Sequence, residues 1–164
     1  MNGGYDSLLR EESMNFIFHG AAGEVGRSCI ELKIGSKRIL FDAGLKITPF
    51  GNEYPTKINN LEEIDAVFVS HAHLDHTGAL PVLNYNGLNC PIFCTNMTKP
   101  MTELLLNDSW KIERIKNIHS SYEKENINKV ISNIKQVKLN KPGKQKGINY
   151  EFFSAGHIPG ASSI

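Results

Sequence analysis

The chain has 164 residues, with 18 Lys+Arg against 17 Asp+Glu and a formal net charge of +1. That length builds one ordinary domain with a core that needs no disulfide staples. Hydrophobic residues at 40% and charged residues at 21% exclude a disordered chain, a collagen-like fibre and a highly charged nucleic-acid tail.

Met14–His19 is β-favouring and bounded by polar residues and glycine, which predicts a first strand. Gly20–Arg27 reads as a glycine-punctuated turn. Ser28–Ile34 alternates as a half-buried strand does. A turn at Gly35-Ser36 pairs it with Arg38–Phe41 in a hairpin. Leu45–Leu61 has no period and holds Pro49, Gly51 and Pro55, so a loop flanking a site is expected. Asp65–Ser70 is a short apolar run, expected as a buried strand, and His71–Thr77 is the turn after it. Gly78–Asn86 predicts a helix with Thr77 as its cap and Pro81 in its first turn. Pro91–Thr95 predicts another strand. Lys99–Trp110 begins a helix, and helical spacing continues through Lys111–Lys135 with a break near Ser120-Ser121. Gln136–Leu139 and Ile148–Ser154 predict strands either side of a Lys141–Gly147 turn. This mixed order predicts a layered α/β or α+β domain.

No run of about 18 apolar residues is present, so no membrane span is expected. The N-terminal stretch has no basic region followed by an apolar one, so no secretory signal is read there. Cys29, Cys90 and Cys94 are too few and too scattered for a disulfide framework. A cytoplasmic protein with reduced thiols is the expectation. The net charge conceals an asymmetry. Residues 111–146 carry 10 Lys+Arg and 3 Asp+Glu, against 8 and 13 in residues 1–110. Such a segment is either a solvated helical face or a contact surface for a polyanion such as RNA.

The chemistry is concentrated in His71-Ala72-His73-Leu74-Asp75-His76, where four candidate ligands fall within six residues after a predicted buried strand. Neutral imidazoles with a carboxylate suit a borderline divalent metal, zinc before manganese or iron. His71 and His73, two apart, point the same way from an extended segment. Asp75 and His76, past a bend, point to a second position. This layout suits two metals about 3.5–4 Å apart in one pocket. His157 sits in a Gly-His-Ile-Pro-Gly turn after another predicted strand. Alone it would read as structural; beside a motif short of ligands it reads as a further ligand. Asp42 ends an apolar strand, where a carboxylate is unfavourable unless paired. It is either an acceptor that orients a ligating histidine or a turn aspartate bonded to its own backbone. His19, at the end of the first strand, and His119, in the Lys-rich stretch, have weaker claims. The Gly20/Gly23/Gly26 turn does not match G-x-G-x-x-G. Ser28 and the cysteines lack the neighbours that make a nucleophile.

In this order the pieces resemble the metallo-β-lactamase superfamily. More narrowly, they resemble its β-CASP branch of RNA-processing nucleases, which includes RNase J-type enzymes and the endonuclease subunit of the mRNA 3′-end cleavage machinery. GAAGEVGRSCIEL, ILFDAG, SHAHLDHTGALP and FFSAGHIPGASS carry the resemblance, which spans about Met14 to Ile164. It implies an α/β (α+β) fold, the αββα sandwich, with the site at one edge of two sheets. Residues 1–164 are then mostly its N-terminal half. The resemblance implies that His71, His73 and His157 bind one Zn2+ and that Asp75 and His76 bind a second. Asp42 supports the ligands from behind. It further implies hydrolysis of an RNA phosphodiester by a metal-bound hydroxide, with Asp75 the visible candidate to handle the water's proton. Asp75 and Asp42 are thus the expected catalytic residues. RNA is the implied partner, no membrane is involved, and the chain is expected as a homo-oligomer or a processing-complex subunit.

The family's metal-bridging aspartate, its β-CASP cassette and the second half of the sandwich have no counterpart in these residues. For residues 1–164 alone the expectation is one competent three-histidine site, a weakened second site and little or no nuclease activity. A bare apolar sheet face is expected too. Two rival readings stand beside this one: a hydrolase of a small thioester, lactone or lactam, and a non-catalytic member that binds RNA or a partner. A redox di-iron protein matches less well, because such proteins usually carry Glu where this chain has His73. Endo- or exonuclease action, and RNA against DNA, are not fixed by these motifs.

Overall fold

The structure is a computed structural model and describes residues 13–116, 118 and 120–164. The readings for residues 1–12 and for His119 lie outside the described residues. Strands β1 (Met14–Gly20), β2 (Cys29–Ile34) and β3 (Lys37–Phe41) form an antiparallel meander, in which β2–β3 is the predicted hairpin and β1 adds a strand beside β2. Its register pairs Phe16 with Leu32 and Ile30 with Phe41.

The stretch expected as a loop contains a small hairpin, β4 (Lys46–Thr48) with β5 (Gly51–Glu53). Three-residue strands are too short to show a period, and the hairpin is closed locally: Thr48 Oγ1 donates to the Gly51 carbonyl at 2.8 Å. A 3-10 turn at Leu61–Glu63 leads into β6 (Ala66–Phe68), parallel to β3. Every residue of β6 is buried, which is why it reads as an unbroken apolar run. Helices α1 (Leu74–Thr77) and α2 (Leu80–Tyr85) connect it to β7 (Ile92–Thr95). Pro81 stands in the first turn of α2, but Thr77 does not cap that helix. Its hydroxyl instead donates to the Ala72 and His73 carbonyls at 3.0 and 3.1 Å, closing the turn that carries the ligand cluster.

Helices α3 (Thr98–Ile115) and α4 (Lys124–Asn133) follow, separated near Ser120-Ser121 as the spacing predicts. The helical reading runs too far at its end. Ile134 and Lys135 belong to β8 (Ile134–Val137), parallel to β7, with Ile134 turned into the core. The expected Lys141–Gly147 turn holds a further strand, β9 (Gly143–Gln145), paired with β10 (Ile148–Tyr150). Lys146 and Gly147 make the two-residue connection with φ of 47° and 90°. Two-residue strands β11 (Phe153–Ser154) and β12 (Ser162–Ser163) pair at the end.

The main sheet runs β1-β2-β3-β6-β7-β8. One face carries Leu40, Val67 and Ile92 against Leu80, Leu106, Ile127 and Val130 of the helices. The other gathers Ile39, Phe68, Phe93 and Phe152, with the Tyr150 ring 4.9 Å from Phe68. Towards β1 this second face is bare, as expected. Met14, Phe16 and Phe18 are each more than half exposed.

A buried polar cluster interrupts the apolar layer at β2. Glu31 is 1% exposed, accepts from Arg38 Nε at 2.7 Å and lies 2.9 Å from His19 Nε2. His19 is thereby given to the scaffold. Burial pushes the Glu31 carboxyl up, but the hydrogen bonds from Arg38 and His19 outweigh it and leave it below the usual carboxylate range. Arg38 goes on to the Asn59 and Asn60 carbonyls and ties down the long connection before β6. Glu31→Gln is expected to remove about 2 kcal/mol at neutral pH, because it takes a buried charged acceptor from the Arg38 guanidinium and the His19 ring. A carboxyl lowered in the folded state stabilises above its ordinary value of 4.5 and ceases to as pH falls through the lower folded value. Urea unfolding should therefore show the gap between wild type and variant shrinking in acid; an equal gap at neutral and acid pH would sink the assignment.

Candidate metal centre

The ligand cluster stands beyond the C-terminal end of β6, where open parallel sheets put their sites. Asp42 ends β3, the neighbouring strand, and His157 lies in the turn between β11 and β12. Three separate strand ends therefore converge.

His71 Nε2 lies 3.1 Å from His73 Nδ1, and His157 Nε2 lies 3.3 Å from the same nitrogen. One nitrogen from each ring falls within 4.8 Å of the other two. Three imidazoles aimed at a common point are what a zinc-like cation needs, so the residues fit the group. Burial first, and then the charge of His76, push His71 down to about 4. At neutral pH it is the uncharged imidazole that ligates metals.

Asp75 and His76 sit on α1, with His76 Nε2 3.6 Å from Asp75 Oδ2. His76 Nδ1 lies 2.7 Å from Asp42 Oδ2. Asp42 also accepts from the Ser70 backbone N–H and from Ser70 Oγ, both at 2.8 Å. It therefore bonds a candidate ligand, His76, and the residue just before His71, not its own backbone, and this pairing answers its burial. Burial pulls the His76 imidazole down, but the hydrogen bond and charge of Asp42 prevail and leave it raised. The fixed carboxylate holds the proton on Nδ1 and leaves Nε2 facing Asp75.

The structure thus joins His71, His73 and His157 in one cluster, sets Asp75 and His76 on the adjoining turn, and puts Asp42 behind His76. The sequence reading missed Ser70. Its hydroxyl donates to Asp42 and lies 3.0 Å from His71 Nδ1. A hydroxyl immediately before the first histidine was the available signal. The cysteines are free and buried, and burial pushes each thiol up to about 12, far from a nucleophile's range. The Gly20–Arg27 turn is held by ion pairs. Arg27 and then Lys46 hold the Glu24 carboxyl down to about 2. Beside His73 and Asp75 opens a groove of about 430 Å³, walled by Val25, Lys46, Ile47 and Leu105.

Residues 31–163 match the family model described as a metallo-beta-lactamase superfamily domain. A Methanocaldococcus jannaschii protein named "Probable RNase MJ4" is 43% identical over 151 residues, 92% of this chain and 35% of that one. "RNase aCSPSF2" of Saccharolobus solfataricus is 32% identical, over 98% of this chain and 32% of its own. "Cleavage and polyadenylation specificity factor subunit 3-I" of Arabidopsis thaliana is 31% identical, over 87% and 21%. The chain spans about a third or less of the length of these relatives. Among solved structures, the metallo-beta-lactamase fold protein YhfI from Bacillus subtilis gives a TM-score of 0.54 at 16% identity, covering 92% of this chain and 57% of that one. That likeness is one of fold.

Proposed function

Because the chain belongs to the metallo-β-lactamase superfamily, we propose that it is the N-terminal part of a zinc-dependent hydrolase that cleaves RNA phosphodiester bonds. The observation that carries the reading is the convergence of His71, His73 and His157, with Asp42 bonded behind His76. The relatives named as RNases supply the substrate class. His71, His73 and His157 would hold one Zn2+, and Asp75 and His76 a second. Zinc bound there would polarise the scissile phosphate and acidify a water. The protein's own part is to aim the imidazoles and to keep His71 uncharged. Asp42 fixes the His76 ring through Nδ1. Asp75, partly exposed at the rim, would take the water's proton. The groove beside His73 would receive the strand; Lys46 on its wall is paired with Glu24 at 2.9 Å.

RNA is the proposed partner, within a homo-oligomer or a processing complex, and the cytoplasm the proposed location. Among the described residues no helix is long and apolar enough to cross a membrane. The lysines of residues 111–146 would add phosphate contacts, though Lys146 is engaged with Asp65 at 2.8 Å. If they do, RNA affinity should fall steeply and linearly on a log–log salt plot.

The test uses the full-length protein. Elemental analysis is expected to find about two zinc ions per chain, and labelled single-stranded RNA to be cut. A chelator should stop cleavage and added zinc restore it. Residues 1–164 alone should hold about one zinc. A metal-free full-length protein that leaves RNA intact would overturn the proposal. Turnover of a thioester or lactone with RNA left whole would move the reading to that chemistry, and RNA binding without turnover to a binding module.

A further inference from the structure

His157 reaches the cluster from a turn with little to pack against. Residues 153–157 and Pro159 are exposed, and Ile158 is only half-buried. Gly156 and Gly160 both have positive φ, 69° and 84°, so the backbone here is permissive. Yet the imidazole stands within 3.3 Å of His73. Apolar packing does not explain that precision, and polar anchors at the buried end of the turn do.

One anchor is Ser162, whose N–H and Oγ donate to the Ser70 carbonyl at 2.9 and 3.0 Å. The other is a pair of threonines. Thr95 Oγ1 donates to the Gly160 carbonyl at 2.7 Å, and Thr98 Oγ1 lies 3.1 Å from the same oxygen and 2.9 Å from Thr95 Oγ1. The two side chains come from the end of β7 and the first residue of α3, and they are 2% and 0% exposed. The fit is close. A Cβ on Gly160 would lie 2.7 Å from Thr95 Oγ1 and 2.9 Å from the Thr98 backbone nitrogen. Buried hydroxyls hold such a carbonyl firmly, since each can donate only one hydrogen and losing the carbonyl leaves one of the two donors unsatisfied. Gly160 is three residues from His157, so a shift at that carbonyl passes directly to the ring.

We propose that Thr95 and Thr98 are positioning residues for the metal centre: their hydroxyls lock the Gly160 carbonyl and thereby set the His157 imidazole against His71 and His73. This rests on the reading of His157 as a metal ligand. The pair joins the metal centre to the start of α3, which carries no ligand itself.

Zinc affinity of the full-length protein, measured by competition with a chromophoric chelator, tests it. Thr95→Val keeps the shape and removes the donor. It is expected to lower affinity about tenfold, the scale for a partner that orients a ligand. Thr95→Ser, which keeps the hydroxyl, should stay within about twofold. Thr98→Val is expected to follow Thr95→Val and carries the same test if that variant fails to fold by circular dichroism. The deciding comparison is a double-mutant cycle with His157→Ala. If the threonines act through His157, Thr95→Val changes affinity by less than about twofold once that ring is gone. Equal losses with and without His157, or wild-type affinity in both valine variants, would overturn the clamp while leaving the zinc reading intact. A wild-type protein that binds no zinc would overturn the zinc reading and the clamp together.

Discussion

Replacing His73 with alanine is expected to abolish RNA cleavage by the full-length protein and to weaken zinc binding by more than about 100-fold. His73 is the hinge of the cluster, since its Nδ1 faces both His71 Nε2 and His157 Nε2. Groups that merely orient a ligand are worth about 10–100-fold in affinity, so a central ligand should exceed them. The fold should survive, because the ring lies at the partly open mouth of the site and not in either apolar layer. Isothermal titration with zinc and a labelled-RNA assay measure both effects. Turnover within about tenfold of wild type would remove His73 from the mechanism. Asp75→Asn should also stop cleavage, with zinc retained at the three-histidine position.

The second large effect concerns a residue with no side chain. A Cβ placed on Gly44 would lie 1.6 Å from the Asp75 carbonyl oxygen and 2.8 Å from the His76 nitrogen. The surrounding backbone cannot yield, because it is bonded on all sides. Ala43 N–H donates to the His76 carbonyl at 2.8 Å, Leu45 N–H to Leu74 at 2.9 Å, and Ser28 N–H to Asp75 at 2.8 Å. The segment after β3 is thus stitched along the helical turn that carries Asp75 and His76. Gly44→Ala is expected to remove about 4 kcal/mol or more of stability, within the exceptional class of single substitutions. It should also lower zinc occupancy of the full-length protein. Urea unfolding and elemental analysis of the refolded protein measure the two. A loss below about 1 kcal/mol would mean that the two segments can separate without harm.

Parts of this site were legible in the amino-acid order because they are local. The histidine spacing of residues 71–76, the alternation of Ser28–Ile34 and the apolar run into β6 each fit inside one short window. Asp42 could be singled out because a carboxylate ending an apolar strand demands a partner, but the order of residues could not say which. Ser70 and His76 were the answer, 28 and 34 residues away. Thr77 shows the opposite failure. Its position promises a cap for α2, yet two carbonyls of the ligand turn stand closer to its hydroxyl. The β4–β5 hairpin and strand β9 escaped because three-residue strands carry no periodic signal. Small hydroxyl residues such as Thr95 are the least legible of all, since their meaning comes from whichever carbonyl arrives from far along the chain.

The order of strands bears on how the molecule is made. Read across the main sheet, β1, β2, β3, β6, β7 and β8 keep their order in the chain. As the polypeptide leaves the ribosome, each of these strands meets a neighbour already synthesised, and none waits for one still to come. The metal centre runs on a different clock. His157 emerges 84 residues after His73, behind the last strand of that sheet. If His157 is a ligand as proposed, the nascent chain would complete the three-histidine grip only after all six strands of this sheet have emerged, and tight metal retention would report that the sheet has formed.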